Sequence, residues 1–164
     1  MTLETVKVAL VGCGAAGKTS IATRLSTGAF IESLMTVGFN VETWSVTKNG
    51  SDGLIKAALF DFGGQEQFRF FQGSLMKGAH VALLCVDVTR FMSLLELDEW
   101  LPLIDHIPKK QWLLIANKID EGGIVTEEVI KEKADSLGVP YVMVSAKTGE
   151  NFDLLQDILS KLII

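Results

Sequence analysis

The chain has no cluster of lysine and arginine, no long hydrophobic run and only two cysteines. Acidic residues outnumber basic ones, 20 against 15, for a net charge of −5. That balance excludes a protein that tracks the phosphate backbone of a nucleic acid. The longest strongly apolar run, Val81 to Val86, is far too short to span a bilayer, which takes ~20 residues. Polar residues interrupt the opening of the chain, so no secretory leader is expected there. Cys13 and Cys85 each lie in or beside an apolar run with no clustered histidine. They read as reduced, partly buried thiols of a reducing compartment and not as a zinc site. His80 and His106 are far apart and have no catalytic context, which makes them structural or surface residues. There is no internal repeat, low-complexity tract or linker.

What remains is an ordinary globular composition, 48% hydrophobic and 21% charged over 164 residues, enough for a single domain over 1–164. Apolar strand-like runs at Thr5–Val11, Phe39–Lys48, Leu54–Asp61, Ala79–Val86, Gln111–Asn117 and Val139–Val144 alternate with helical patterns. The helical patterns are Gly17–Thr27, Glu66–Lys77, Met92–His106, Thr126–Leu137 and Asn151–Leu162. The last is the clearest, with Phe152, Leu155, Ile158, Leu159 and Leu162 on one face. Only "NGSDG" separates the second and third strands, too short for a parallel crossover, so that pair is antiparallel. The expectation is a three-layer α/β fold: a six-stranded mixed sheet, five strands parallel and one antiparallel, flanked by about five helices.

Directly after the first strand stands "GCGAAGKTS", residues 12 to 20, which satisfies G-x-x-x-x-G-K-[ST] between a buried strand and a helix. Gly12, Gly14 and Gly17 let the backbone curl so that N–H groups of Gly14, Ala15, Ala16, Gly17, Lys18, Thr19 and Ser20 can meet phosphate oxygens. The helix start adds its positive end, Lys18 a full charge, and the Thr19 hydroxyl a ligand for Mg²⁺. The motif alone does not separate kinases, ATPases and GTPases. Cys13 sits at a variable position of it and has no role.

The base is read from "NKID", residues 117–120, after the apolar strand "WLLIA". An acceptor-only carboxylate, Asp120, takes two hydrogen bonds from guanine N1–H and its 2-amino group. Adenine offers no such donor pair and leaves the carboxylate desolvated and unpaired. Asn117 ties this loop to the phosphate loop, and the Lys118 stem lies over one face of the base. "SAK" (Ser145, Ala146, Lys147) follows another strand and supplies a backbone N–H for guanine O6. All these segments fall at the C-terminal edge of the parallel sheet, where open α/β folds place ligands.

Five segments in order, "GCGAAGKT", "TVGFN", "DFGGQE", "NKID" and "SAK", cover nearly the whole chain and resemble the small GTPases of the Ras superfamily. "AAGKTS" and "TVGFNVETW" resemble the Arf-type branch, whereas "GQEQFRFF", "GAHVALLCVDVT" and "ADSLGVPYVMVSAKTGENFDLL" resemble the Rab-type branch. The resemblance implies a P-loop GTPase fold and a GTP/GDP-binding switch with Mg²⁺. It implies that Thr36 closes over Mg²⁺ and the γ-phosphate, with Met35 where the family usually has proline. Asp61 holds Mg²⁺, the Gly64 N–H bonds the γ-phosphate, and Gln65 orients the attacking water. Catalysis then rests on Gln65 and Lys18. Phe30 stands where relatives place an aromatic edge against guanine; packing at the end of the first helix is the alternative.

No arginine occurs between Arg24 and Arg69, so the first switch cannot supply an arginine finger in cis, and slow intrinsic hydrolysis accelerated by a partner is expected. Effector, exchange and activating proteins are expected at 30–40 and 62–73. "FRFFQGSLM" is either part of that surface or the core face of the second helix. No glycine follows Met1 and no cysteine stands near "SKLII", so neither myristoylation nor prenylation is expected. The expected protein is a cytoplasmic monomer recruited to membranes through partners. The rival reading is a non-hydrolysing guanine-nucleotide-binding module of the same fold. A P-loop small-molecule kinase is more distant, for want of an arginine-rich lid.

Overall fold

The computed structural model describes residues 3–30, 39–47, 53–62 and 76–164. The strands are β1 (Leu3–Val11), β2 (Phe39–Thr47), β3 (Leu54–Phe62), β4 (Val81–Asp87), β5 (Trp112–Asn117) and β6 (Tyr141–Met143). Among the described residues the helices are α1 (Lys18–Thr27), α2 (Met92–Leu97), α3 (Leu101–Ile104), α4 (Glu127–Leu137) and α5 (Phe152–Ile163). Short 3₁₀ turns occupy Lys109–Gln111 and Ile119–Glu121.

The strands form one six-stranded sheet in the order β2-β3-β1-β4-β5-β6. The β2–β3 pair is antiparallel, Thr47 opposite Leu54 and Phe39 opposite Phe62, as the short connection requires. All other pairings are parallel. The central strands read as unbroken apolar runs because helices cover both of their faces. Alternation within them decides which side chain meets which layer. Val8 and Leu10 of β1, Val81, Leu83 and Cys85 of β4 and Leu113 and Ile115 of β5 face α1 and α5, where Ile21, Leu25, Leu155, Leu159 and Ile163 are buried. Ala9, Val11, Ala82, Leu84, Val86, Leu114 and Ala116 face the other way, onto Leu94, Leu97, Trp100, Ile104, Ile130, Ala134 and Leu137 of the α2–α4 layer. β2 is an edge strand whose residues alternate between exposed and half-buried.

The helix expected over Met92–His106 is divided. α2 ends at Leu97, and the chain continues through i→i+3 turns, Trp100 N–H to Leu97 O at 3.0 Å and Leu103 N–H to Trp100 O at 3.0 Å. Pro102 explains the division: it has no N–H to give Asp98 and is tolerated only at the start of the new helix α3. The break lets Trp100 turn fully into the core. The other helices end as composition dictates. Thr126 caps α4 by accepting from Val129 N–H, and Gly28 and Gly138 close α1 and α4 in the left-handed region, at φ 77° and 73°. The helix expected over Glu66–Lys77 lies outside the described residues apart from its last two, which form a turn.

Candidate functional site

Polar residues are buried at one edge of an otherwise apolar sheet. Asp61 on β3, Asp87 ending β4 and Asn117 ending β5 are at most 2% exposed. Asp61 is in register with Leu10 near the end of β1, and Asp87 with Asn117. Burying such groups is costly unless each has a partner. Here they hold the loops that leave β1, β4, β5 and β6 at that edge.

The loop after β1 is held by its glycines. Gly12 has φ 142°, and a Cβ there would collide with the carbonyl oxygen of Cys85 on β4. Gly17 has φ 87°, and a Cβ would collide with the Asn117 amide nitrogen. Both positions therefore demand glycine for conformation and for space. Gly14 and Ala15 sit on the open side of the loop, whereas Ala16 is buried. Lys18 is buried and curls back over the loop, its Nζ donating to Gly12 O at 3.1 Å and Cys13 O at 2.8 Å. Burial pulls its pKa below the usual lysine value, and the carboxylate of Asp61 works against that pull. α1 begins at Lys18 with no side-chain cap on its first N–H groups. An uncapped helix start, a glycine-curled loop and a buried ammonium together fit a phosphate chain. In the first turn the Thr19 hydroxyl donates to Asp61 Oδ2, joining α1 to β3. Among the described residues no group of three or more His, Cys, Asp or Glu side chains could hold a metal alone. This oxygen pair fits a cation that takes its remaining ligands from phosphate and water.

The second half of the site is tied to the first by side chains. Asn117 Nδ2 donates to Ala16 O at 3.2 Å, while its Oδ1 accepts from Ala146 N–H at 3.0 Å. One amide thus bridges three loops. Lys118, left-handed at φ 72°, reaches Ala15 O at 2.9 Å and pairs with Asp87 Oδ2 at 3.0 Å. Asp120, exposed in the 3₁₀ turn, accepts from Ser145 Oγ at 2.7 Å. Ser145 is fully buried, and its Oγ also accepts from Thr148 N–H at 3.0 Å. Its place is behind Asp120, holding that carboxylate. Phe30 follows α1 with its side chain partly exposed, outside the core. Cys85 is fully buried with its thiol pushed up to about 12, and burial likewise raises that of Cys13, so both are protonated at neutral pH.

The structure therefore gathers Gly14, Ala15, Ala16, Gly17, Lys18, Thr19, Ser20 and Asp61 at one end of the sheet edge, and Asn117, Lys118, Asp120, Ser145, Ala146 and Lys147 beside them. Thr36, Gly64 and Gln65 lie outside the described residues. Two site residues escape the sequence reading. Asp87 could have been found, since a carboxylate closing a fully apolar strand repeats the pattern of Asp61. Arg24, on α1, donates through Nε to Ala146 O at 2.6 Å, a contact 122 positions away in the chain with no local signal.

A mixed sheet in this order, with a glycine cradle leading from its first strand into a lysine-headed helix, defines the P-loop GTPase fold. The Ras family model matches residues 7–163. Ras-related protein RABD1 of Arabidopsis thaliana is 32% identical over 152 residues, covering 90% of this chain and 73% of that protein. Ras-related protein RIC1 of Oryza sativa subsp. japonica and RABD2c of Arabidopsis thaliana are also 32% identical, over 90% of this chain and 74% of each relative. The chain belongs to the Ras family, and at the level of that family it is a GTP-binding small GTPase.

Proposed function

We propose that this chain is a molecular switch that binds GTP with Mg²⁺, hydrolyses it slowly to GDP and phosphate, and changes partners as it does so. The observation that carries the reading is the bridge between the two loop sets. Asn117 and Lys118 fasten the segment bearing Asp120 onto Ala15 and Ala16 of the phosphate loop. A single ligand with a phosphate chain and a purine that donates from N1 and its 2-amino group matches that arrangement.

Lys18 and the N–H groups of residues 14–20 bind and orient the phosphates. Thr19 and Asp61 would hold Mg²⁺, which neutralises charge developing on the β- and γ-phosphates when bound. By motif, Thr36 and Gly64 read the γ-phosphate and Gln65 orients water. Asp120 reads the base from its anchored position on Ser145. The exposed Phe30 ring is free to flank it, which favours that reading over core packing. The arginines described near the site are occupied. Arg24 is held on the loop 146–147, and Arg90 lies 3.6 Å from Cys13 Sγ and 3.7 Å from Glu96. A catalytic arginine is therefore expected from an activating protein.

Effector, exchange and activating proteins would engage 30–40 and 62–73, most of which lie outside the described residues. No described helix is long and apolar enough to cross a membrane. The proposal has the chain act as a monomer in the cytoplasm and reach membranes through partners. Competition against a fluorescent GDP analogue, followed by single-turnover hydrolysis of labelled GTP, tests it. GDP and GTP are expected to displace the probe and ADP not, with phosphate released slowly. Displacement by ADP as readily as by GDP would overturn the base assignment. Turnover as fast as that of a dedicated ATPase would overturn the slow switch.

A further inference from the structure

Arg24 projects from the last turn of α1 onto the loop that follows β6. Its Nε donates to Ala146 O at 2.6 Å and one terminal nitrogen to Lys147 O at 3.0 Å. The guanidinium carbon lies 5.6 Å from the centre of the Phe152 ring. Gly149, at φ 87°, clears the space: a Cβ there would stand 2.9 Å from the Arg24 terminal nitrogen. A carbonyl pair, a ring face and a missing side chain thus fix one guanidinium. Among the described residues it has no carboxylate partner, so its charge acts on the carbonyls it touches, those of Ala146 and Lys147 and, more distantly at 3.4 Å, that of Gly28 at the end of α1.

The loop's own N–H groups are mostly engaged. Ser145 N–H donates to Glu150 O, Ala146 N–H to Asn117 Oδ1, and Thr148 N–H to Ser145 Oγ. Among the described residues, the Lys147 N–H is the one from 145 to 148 without a partner. It belongs to the same peptide unit as the Ala146 carbonyl that Arg24 holds. No peptide in the described chain is cis, so this N–H points away from that carbonyl and from the guanidinium. A cation on the carbonyl oxygen also polarises the amide and strengthens its N–H as a donor.

We propose that Arg24 is a positioning residue for base recognition: it orients and polarises the Ala146–Lys147 peptide so that the Lys147 N–H meets the 6-oxo group of the purine. This rests on the guanine reading above. The discriminating probes are GDP, inosine diphosphate, which keeps the 6-oxo group, and 2-aminopurine riboside diphosphate, which lacks it. Arg24→Ala is expected to weaken GDP and inosine diphosphate about tenfold each and to leave the 2-aminopurine nucleotide unchanged, the loss of one strengthened hydrogen bond. Arg24→Lys, which keeps the charge and one donor, recovers part of the loss. The Lys147 amide proton of the GDP-bound protein should move upfield in both variants. An equal loss for all three nucleotides would reduce Arg24 to a structural support, and no loss would remove it from recognition. If Arg24→Ala does not fold, the Arg24→Lys affinities and amide shift decide the matter alone. Wild-type protein that binds ADP as tightly as GDP would instead overturn the guanine reading itself.

Discussion

The two halves of the site are made of different material. The half proposed to take the phosphates is mostly main chain: a loop shaped by Gly12 and Gly17, an open helix start and one buried ammonium. The half proposed to read the base is held by side chains that each make two contacts or more, Asn117, Lys118, Ser145 and Arg24. A cradle of backbone donors serves any nucleotide, because every nucleotide has phosphates. Discrimination needs a carboxylate in one place, and a place is fixed by bonds from several directions.

If that contrast is right, damage to the first half should weaken all nucleotides alike, and damage to the second should fall on guanine or on the fold. The largest expected effect is Lys18→Ala. It removes the charge of the cradle and should weaken GDP and ADP together, GDP by about 100-fold or more, measured by nucleotide titration. Asp120→Ala should leave phosphate-dependent binding in place but lower the preference for GDP over ADP by about 100-fold in the same assay. Asn117→Ala strands the Ala16 carbonyl and the Ala146 N–H, for about 2–4 kcal/mol of stability in a urea titration of the GDP-bound protein. An Asn117→Ala protein as stable as wild type would show that the halves are not joined through this amide.

A smaller, pH-dependent effect comes from the core beside the phosphate loop. Cys85 keeps its proton up to about 12 when folded, whereas the unfolded thiol loses it near 9.0. The stabilisation is complete below about 9 and is lost as pH rises from there toward about 12. Lys18, lowered by burial, acts in the opposite sense, since the unfolded chain holds its proton more tightly at alkaline pH. Urea midpoints from pH 7 upward should therefore fall less steeply in Cys85→Ala than in wild type. Identical slopes would mean that the thiol ionises as freely inside the fold as outside. Lys118→Ala is the mildest of the set, about 1 kcal/mol, because Lys118 is partly solvated and Thr89 still bonds Asp87.

The sequence disclosed the sheet and the phosphate half more fully than the base half, for a physical reason. Period-two apolar runs and the short link at "NGSDG" are local, and so is a glycine loop between strand and helix. The antiparallel pairing of β2 with β3 follows from chain length alone. Pro102 was equally local, yet the apolar periodicity across it masked the break between α2 and α3. Arg24 was invisible because its meaning lies in a contact with Ala146 that only folding creates. For Ser145 the motif placed the residue in the base site through a backbone N–H; that its hydroxyl is turned to Asp120 and Thr148 is a contact only the fold discloses.

The Asn117 amide also bears on how such a protein ages. Its nitrogen and oxygen face an acceptor and a donor from two different loops, so hydrolysis to a carboxylate would set oxygen against the Ala16 carbonyl and add charge at a site 2% exposed. Deamidation at this buried position would cut one of the two ties between the halves, leaving Lys118 on the Ala15 carbonyl as the other, while the sheet stayed whole. An old sample could then keep its secondary structure and lose its ligand, and intact-mass analysis would have to accompany any measured loss of binding.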